Sequence, residues 1–178
     1  MQEQLQQLQE ILAAAYGISN KDYPSHTDIG DAAIVHVGEG KVVKSRPLVS
    51  LWFHYCQAMI FKNGSRYGLA HIFPHRDSDS ALLLEHLVKK FGSTAGLTAI
   101  VVCTSGRNTA STNAYDVCIE AGIPVVQCYQ EPEPERGAVP WRDVVVLPSG
   151  VVGVATHLGD ARESCNDPNK RQWTILSF

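Results

Sequence analysis

The chain has 178 residues, enough for one domain with a sizeable core, and 44% of them are hydrophobic, which excludes a disordered chain. Lys and Arg total 15 against 18 Asp and Glu, a net charge of −3, and no basic stripe is present of the kind a nucleic-acid partner requires. No apolar run approaches the roughly 18 residues of a membrane span, and the polar start MQEQLQQLQE carries no signal-peptide core. A cytoplasmic protein without membrane insertion is the expectation, with a secreted effector as the alternative.

In chain order, Leu5, Leu8, Ile11 and Leu12 recur at helical spacing, so residues 2–16 predict an amphipathic helix ending near Gly17. SNKDYPSHTDIGD is turn-rich, and AAIVHVGEGKVVKS reads as two short strands around Gly-Glu-Gly. Residues 50–61 read as one strand, turned by KNGSR with Asn63-Gly64 at its centre. YGLAHIFP returns, and Pro74 ends it. Residues 78–91 form the clearest helix, with Lys89 and Lys90 in the last turn, where cations suit the helix dipole. LTAIVVCT is a buried strand, 108–121 a helix closed by Gly122, and IPVVQCYQ the next strand. EPEPERGAVP is a loop, RDVVVLPSGVVGVAT a hairpin around Pro148-Ser149-Gly150, and the polar tail ends in a short apolar strand. Many hairpins among interspersed helices predict an α/β (α+β) layered sandwich with a mixed sheet rather than a doubly wound parallel one. No linker divides the chain, so 1–178 is one domain.

Five cysteines occur, at 56, 103, 118, 128 and 165, an odd number with no C-x-x-C pair, so neither a disulfide framework nor a zinc knuckle is suggested. Cys103, Cys118 and Cys128 sit in apolar stretches and read as small buried hydrophobes. Cys56 and His71 differ in lying on the two arms of one predicted hairpin. With the turn centred between Asn63 and Gly64, residue 56 falls opposite residue 71, and directly opposed Cβ atoms lie about 5 Å apart. A thiol needs a base to become a nucleophile, and an imidazole held in one tautomer by a third group is the usual base. The bland alternative is a cysteine and a histidine buried in a core.

The same residues carry a resemblance. IVHVGEGKVVKS, then Ser50, Cys56 and GLAHIFP, then SGRNTASTNAYDVCIEAGIPVV and RGAVPWRDVVVLPSGVVGV, follow in an order similar to the CheD chemoreceptor glutamine deamidases over residues 34–154. The resemblance implies the layered α/β/β/α fold shared with the cytotoxic necrotizing factor catalytic domain and the YfiH-like proteins. On it, residues 1–17 are an N-terminal helical extension and 155–178 a C-terminal one. It implies Cys56 as nucleophile, His71 as base and Ser50 as the group orienting His71, with no cofactor and no metal. The implied partner is a protein presenting an exposed glutamine, a chemoreceptor or another target. Six strand residues span about 20 Å, so Ser50 reaches His71 only if the chain folds back before Cys56. The family makes that bend with Gly-Ser; this chain has Phe53-His54-Tyr55, which would place an unfavourable positive φ at His54.

His54, as a second imidazole or an alternate-face strand residue, and Tyr55 and Asn108 are secondary candidates at the site; Asn108 also reads as a helix cap. His75 reads as a solvent-facing loop residue, Trp52 and Phe53 as core or rim aromatics. His157 and Cys165 lie outside the resemblance and carry no assigned role. Two other readings stand beside the deamidase. One is a binding module of the same fold without catalysis. The other is a metal site built on Cys56, His71 and a further histidine, His54 or His75, as the third of the at least three protein ligands zinc usually takes, with any other ligand left to the tail.

Overall fold

The computed structural model describes residues 1–19, 30–73, 79–103, 114–130, 140–157, 167 and 170–178. Its elements are α1 (Gln2–Ser19), β1 (Ala33–Ile34), β2 (Gly40–Lys44), β3 (Leu48–Phe53), β4 (Gln57–Asn63), β5 (Arg66–Ile72) and α2 (Asp79–Phe91). They continue with β6 (Thr98–Cys103), α3 (Ala114–Glu120), β7 (Val125–Gln130), β8 (Arg142–Val146), β9 (Val151–His157) and β10 (Arg171–Ser177).

The strands form two five-stranded sheets. Sheet I runs β1-β3-β8-β9-β10 and sheet II runs β2-β5-β4-β6-β7. The β1/β3 and β6/β7 pairs are parallel and the remaining pairs antiparallel. Leu48, Phe53 and Val144 from sheet I meet Ile60, Leu69 and Val102 from sheet II in the central layer. Leu8, Leu12, Ala15 and Tyr16 of α1 bury against the outer face of sheet I. Leu84, Leu87 and Phe91 of α2, with Cys118 of α3, cover the outer face of sheet II. The result is the expected α/β/β/α sandwich. The unbroken Val144-Val145-Val146 run follows from this layering, because β8 is buried on both faces and has no solvent side to make polar.

Two close approaches set the layer spacing. A Cβ on Gly153 would fall 2.7 Å from Leu8 and 2.8 Å from Trp173, and one on Gly68 would fall 2.9 Å from the Phe91 ring. The helices therefore sit down on bare backbone. Arg66 of β5 closes the α2 C-terminus by donating to the carbonyls of Lys90 (2.6 Å) and Phe91 (3.3 Å), groups that a helix end leaves without intrahelical partners. Helix α1 passes through Gly17 to Ser19 instead of stopping there; an isolated glycine is tolerated at about 1 kcal/mol relative to alanine. Among the described residues, no helix is long and apolar enough to cross a membrane.

Two expectations need correction here. Residues 50–61 are not one strand. β3 ends at Phe53 in sheet I, β4 begins at Gln57 in sheet II, and residues 54–56 cross between the layers. The β4–β5 turn is also displaced by one residue. Asn63 pairs with Arg66, so Gly64-Ser65 are the two central residues, with φ 58° at Gly64 and no positive φ at Ser65. That is the glycine-first type II′ pattern, whose twist matches the flanking strands. The first half of the helix expected over 108–121 lies outside the described residues; α3 as described starts at Ala114.

Candidate active site

His71 sits in the middle of the sandwich. Its side chain shares the inward face of β5 with Leu69 and Tyr67, which belong to the inter-sheet core. Its backbone is held from the other side by the Val-Gly-Glu-Gly segment. Gly38 N–H donates to the His71 carbonyl at 2.8 Å, and the His71 N–H donates to the Glu39 carbonyl at 3.1 Å. Gly38 has φ 78°, a conformation that glycine adopts without penalty. The same segment begins in sheet I, where Val35 N–H donates to the Val49 carbonyl at 2.8 Å. Residues 33–39 thus tie the two sheets together at the imidazole.

Ser50 reaches the ring from the opposite sheet. Its Oγ lies 2.9 Å from His71 Nδ1, and its hydroxyl donates to the Val35 carbonyl in a short hydrogen bond. Because the hydroxyl proton is committed to Val35, Ser50 accepts from Nδ1–H, which fixes the tautomer and leaves the Nε2 lone pair available. Nε2 is buried and has no hydrogen-bond partner among the described residues. Phe53 covers the ring face, stacked at 3.6 Å between centroids and 11° between planes.

The fold-back that Ser50 needs is present, and it lies within β3, ahead of residue 54. Ser50 pairs with Val144 and Phe53 with Arg142, so Leu51 and Trp52 together oppose the single residue Asp143. This is a β-bulge, and Trp52 takes φ 66° within it. A bulky residue in the left-handed region costs about 1–2 kcal/mol. The strained residue is thus Trp52 rather than His54. The bulge returns Phe53 to the inward face, so that residues three apart, Ser50 and Phe53, both touch one ring.

Cys56 lies at the end of the crossing, buried with Ala58, Ile60 and Phe53 in the inter-sheet core. Its direct opposition to His71 is corrected by the observed register, in which Ala58 pairs with His71 and Gln57 with Ile72. Cys56 lies two residues before Ala58, just ahead of the β4 ladder that begins at Gln57, and packs in the same inter-sheet core. The one-residue turn shift changes the pairing by two and keeps the face, and the sulfur does not hydrogen-bond Nε2 in this state.

The protonation states are those of a neutral pair. Burial pushes the Cys56 thiol up to about 11, opposed by a backbone hydrogen bond at His54. Burial, and secondarily the charge of His36, pull His71 down to about 3. Both shifts favour the neutral forms, with the proton on sulfur and the imidazole uncharged.

His54 is stacked on Trp141 (4.6 Å, 28°) and edge-on to Tyr55 (4.1 Å, 75°), and burial together with Arg142 lowers its pKa. Tyr55 is exposed. Asn108 and His75 lie outside the described residues. Among the described residues, no three His, Cys, Asp or Glu side chains gather as a metal site would require.

Sequence reasoning missed three groups. Arg142 is fully buried on the inward face of β8, paired with Phe53 across the bulge; burial lowers its pKa, and the charge and hydrogen bond of Tyr129 raise it. Gln57 is buried, and its Oε1 accepts the Ala114 N–H at 2.7 Å, fixing the start of α3. Asp143 is fully buried behind sheet I. An aspartate and an arginine side by side ahead of three valines in RDVVV was the signal: charges entering an apolar run must have partners.

No protein-family model matches the chain, and no curated protein matches it. Among solved structures, it is similar to the hypothetical protein YfiH of Bacillus licheniformis, with a TM-score of 0.39 and 17% identity over 52% of this chain and 50% of that one. It is also similar to the C-terminal domain of CNFy from Yersinia pseudotuberculosis, with a TM-score of 0.49 and 10% identity over 83% and 63%. The chain spans half of the first protein's length and less than two thirds of the second's. Likenesses this remote bear on neither substrate nor mechanism.

Proposed function

We propose that the protein is a cysteine-dependent protein glutamine deamidase, with Cys56 as nucleophile, His71 as general base and Ser50 as the group that orients His71. One observation carries the reading. The Ser50 hydroxyl, committed to Val35, fixes Nδ1–H of a fully buried imidazole, and Nε2 has no partner among the described residues, on the inward face of the core that also holds Cys56. Leaving a buried nitrogen so is destabilising by about 1–3 kcal/mol, a cost that a role as general base would account for. The ordered resemblance over residues 34–154 to chemoreceptor deamidases supports the same assignment.

In the reaction, Nε2 takes the thiol proton as the sulfur–carbon bond to the glutamine carboxamide forms. A neutral resting pair makes this general-base catalysis concerted with attack. The imidazolium then protonates the departing ammonia and leaves a thioester at Cys56. Water, deprotonated by Nε2, attacks the thioester carbonyl and releases glutamate and the thiol. Every bond in the sequence is made by side chains of this chain, the carboxamide and water.

A protein substrate, rather than a free amide, is supported by the rim. Val37, Tyr55 and Phe73 are all exposed. Val37 bridges to His71, Tyr55 precedes Cys56, and Phe73 follows the β5 strand that bears His71. Large apolar side chains left in solvent beside a buried reactive pair suit a macromolecular partner. The test is mass spectrometry of a bacterial lysate incubated with wild-type protein or Cys56→Ala. Peptides gaining about 1 Da at glutamine only with the wild type support the reading; identical peptide sets refute it. The same fold acting as a binding module without catalysis is the second reading; burial, which holds the Cys56 thiol and the His71 imidazole in their neutral forms, favours it.

A further inference from the structure

We propose that Asp143 is a positioning residue: it pins the Leu51–Trp52 bulge and so sets both contacts on the His71 ring. The proposal deepens the function given above and rests on His71 being the base. In a regular strand, alternate residues share a face, so Ser50 and Phe53 would point to opposite sides. Only the extra residue at 51–52 brings both inward, one to Nδ1 and the other to the ring face. The bulge is strained at Trp52, where φ is 66°, and needs an external hold.

Asp143, the residue opposite the bulge, supplies it. Its Oδ1 accepts the Trp52 N–H at 3.0 Å, a backbone donor that the bulge takes out of the ladder. Its Oδ2 is held in turn by the Tyr16 hydroxyl at 2.7 Å and by His157 Nε2 at 2.6 Å. Asp143, His157 and Tyr16 are all buried, so the carboxylate is fixed in place rather than solvated. The Arg171 guanidinium lies 4.7 Å over the Tyr16 ring and closes the outer side. The network lies on the outer face of sheet I, among the α1 contacts, so it touches neither the thiol nor the substrate side. It recruits Tyr16 of α1, His157 at the end of β9 and Arg171 of β10, all outside the segment resembling the deamidases, to hold the bend that the absent Gly-Ser would otherwise make.

Nitrogen-detected NMR of imidazole tautomers, on protein labelled at histidine, reads the proposal without any substrate. The wild type should show His71 as a single Nδ1–H tautomer. Asp143→Asn keeps an oxygen for the Trp52 amide and should keep that tautomer. Asp143→Leu should lose it, showing both tautomers, and adding Trp52→Gly, which takes positive φ freely, should restore it. A single tautomer in Asp143→Leu, or no restoration by Trp52→Gly, overturns the proposal. Hydrogen exchange of the Trp52 amide in the wild type tests it without any variant. Exchange only through global unfolding is expected, and fast exchange also overturns it. If the tautomers behave as stated while no glutamine is converted, the deamidase reading fails and the positioning role stands.

Discussion

Acidification should destabilise this protein through His71, and by an amount that follows from its burial. In the unfolded chain, the imidazole has its ordinary value of 6.5; in the fold, burial holds it at about 3. Above 6.5 both states are neutral and no differential exists. Below it, the unfolded chain binds a proton that the folded one refuses, so folding loses about 1.4 kcal/mol per pH unit until about pH 3. Between about pH 7.5 and 4.5 the loss sums to about 3 kcal/mol, counted from 6.5 downward. Urea unfolding of wild type and His71→Gln at both pH values isolates it, because carboxylates and other histidines titrate in both proteins. The wild type should lose about 3 kcal/mol more than the variant across the window. Equal losses would mean that His71 is accessible to protons in the fold, and the buried neutral base would have to be abandoned.

Iodoacetamide at neutral pH should label Cys128 ahead of Cys56, Cys103 and Cys118, as read by peptide mapping. Cys128 is exposed, and its contact with the Cys103 sulfur at 4.0 Å pulls its thiol to about 7 against the opposing effect of burial; faster labelling of Cys56 would mean a preformed thiolate there. Ser50→Ala should lower stability by about 1–3 kcal/mol in urea unfolding, because it strips both His71 Nδ1–H and the Val35 carbonyl of a buried partner; an unchanged midpoint counts against the bond. Leu12→Ala should destabilise by about 2–5 kcal/mol, because the side chain is fully buried between α1 and sheet I. A loss below 1 kcal/mol, on the order of a surface substitution, would show α1 to be an appendage rather than a layer.

The layered fold was legible because its determinants are local. Leu8 and Leu12 keep helical spacing in α1, Leu84 and Leu87 keep it in α2, and Pro148-Ser149-Gly150 marks the turn between β8 and β9. The Ser50–His71 pairing came from the family resemblance, and the site's exact geometry did not follow from pattern. A hairpin centred on Asn63-Gly64 and one centred on Gly64-Ser65 satisfy the same alternation, and only the observed register separates them. The bulge was illegible because Leu51-Trp52-Phe53 is apolar throughout, so no polar residue marks where alternation breaks. Cys128 reads as buried because it sits in an apolar stretch, yet β7 is the edge of sheet II and exposes it. His157 was passed over since its partners, Tyr16 and Asp143, are 141 and 14 residues away.

The covalent step at Cys56 is the most direct test of the whole account. Wild-type protein and Cys56→Ala are each incubated with lysate, quenched in acid and separated on a denaturing gel, with and without hydroxylamine. The account predicts a conjugate between the wild type and a second protein that hydroxylamine dissolves, as it does a thioester, and none with the variant. The same conjugate with Cys56→Ala, or glutamine conversion persisting without that sulfur, would contradict it.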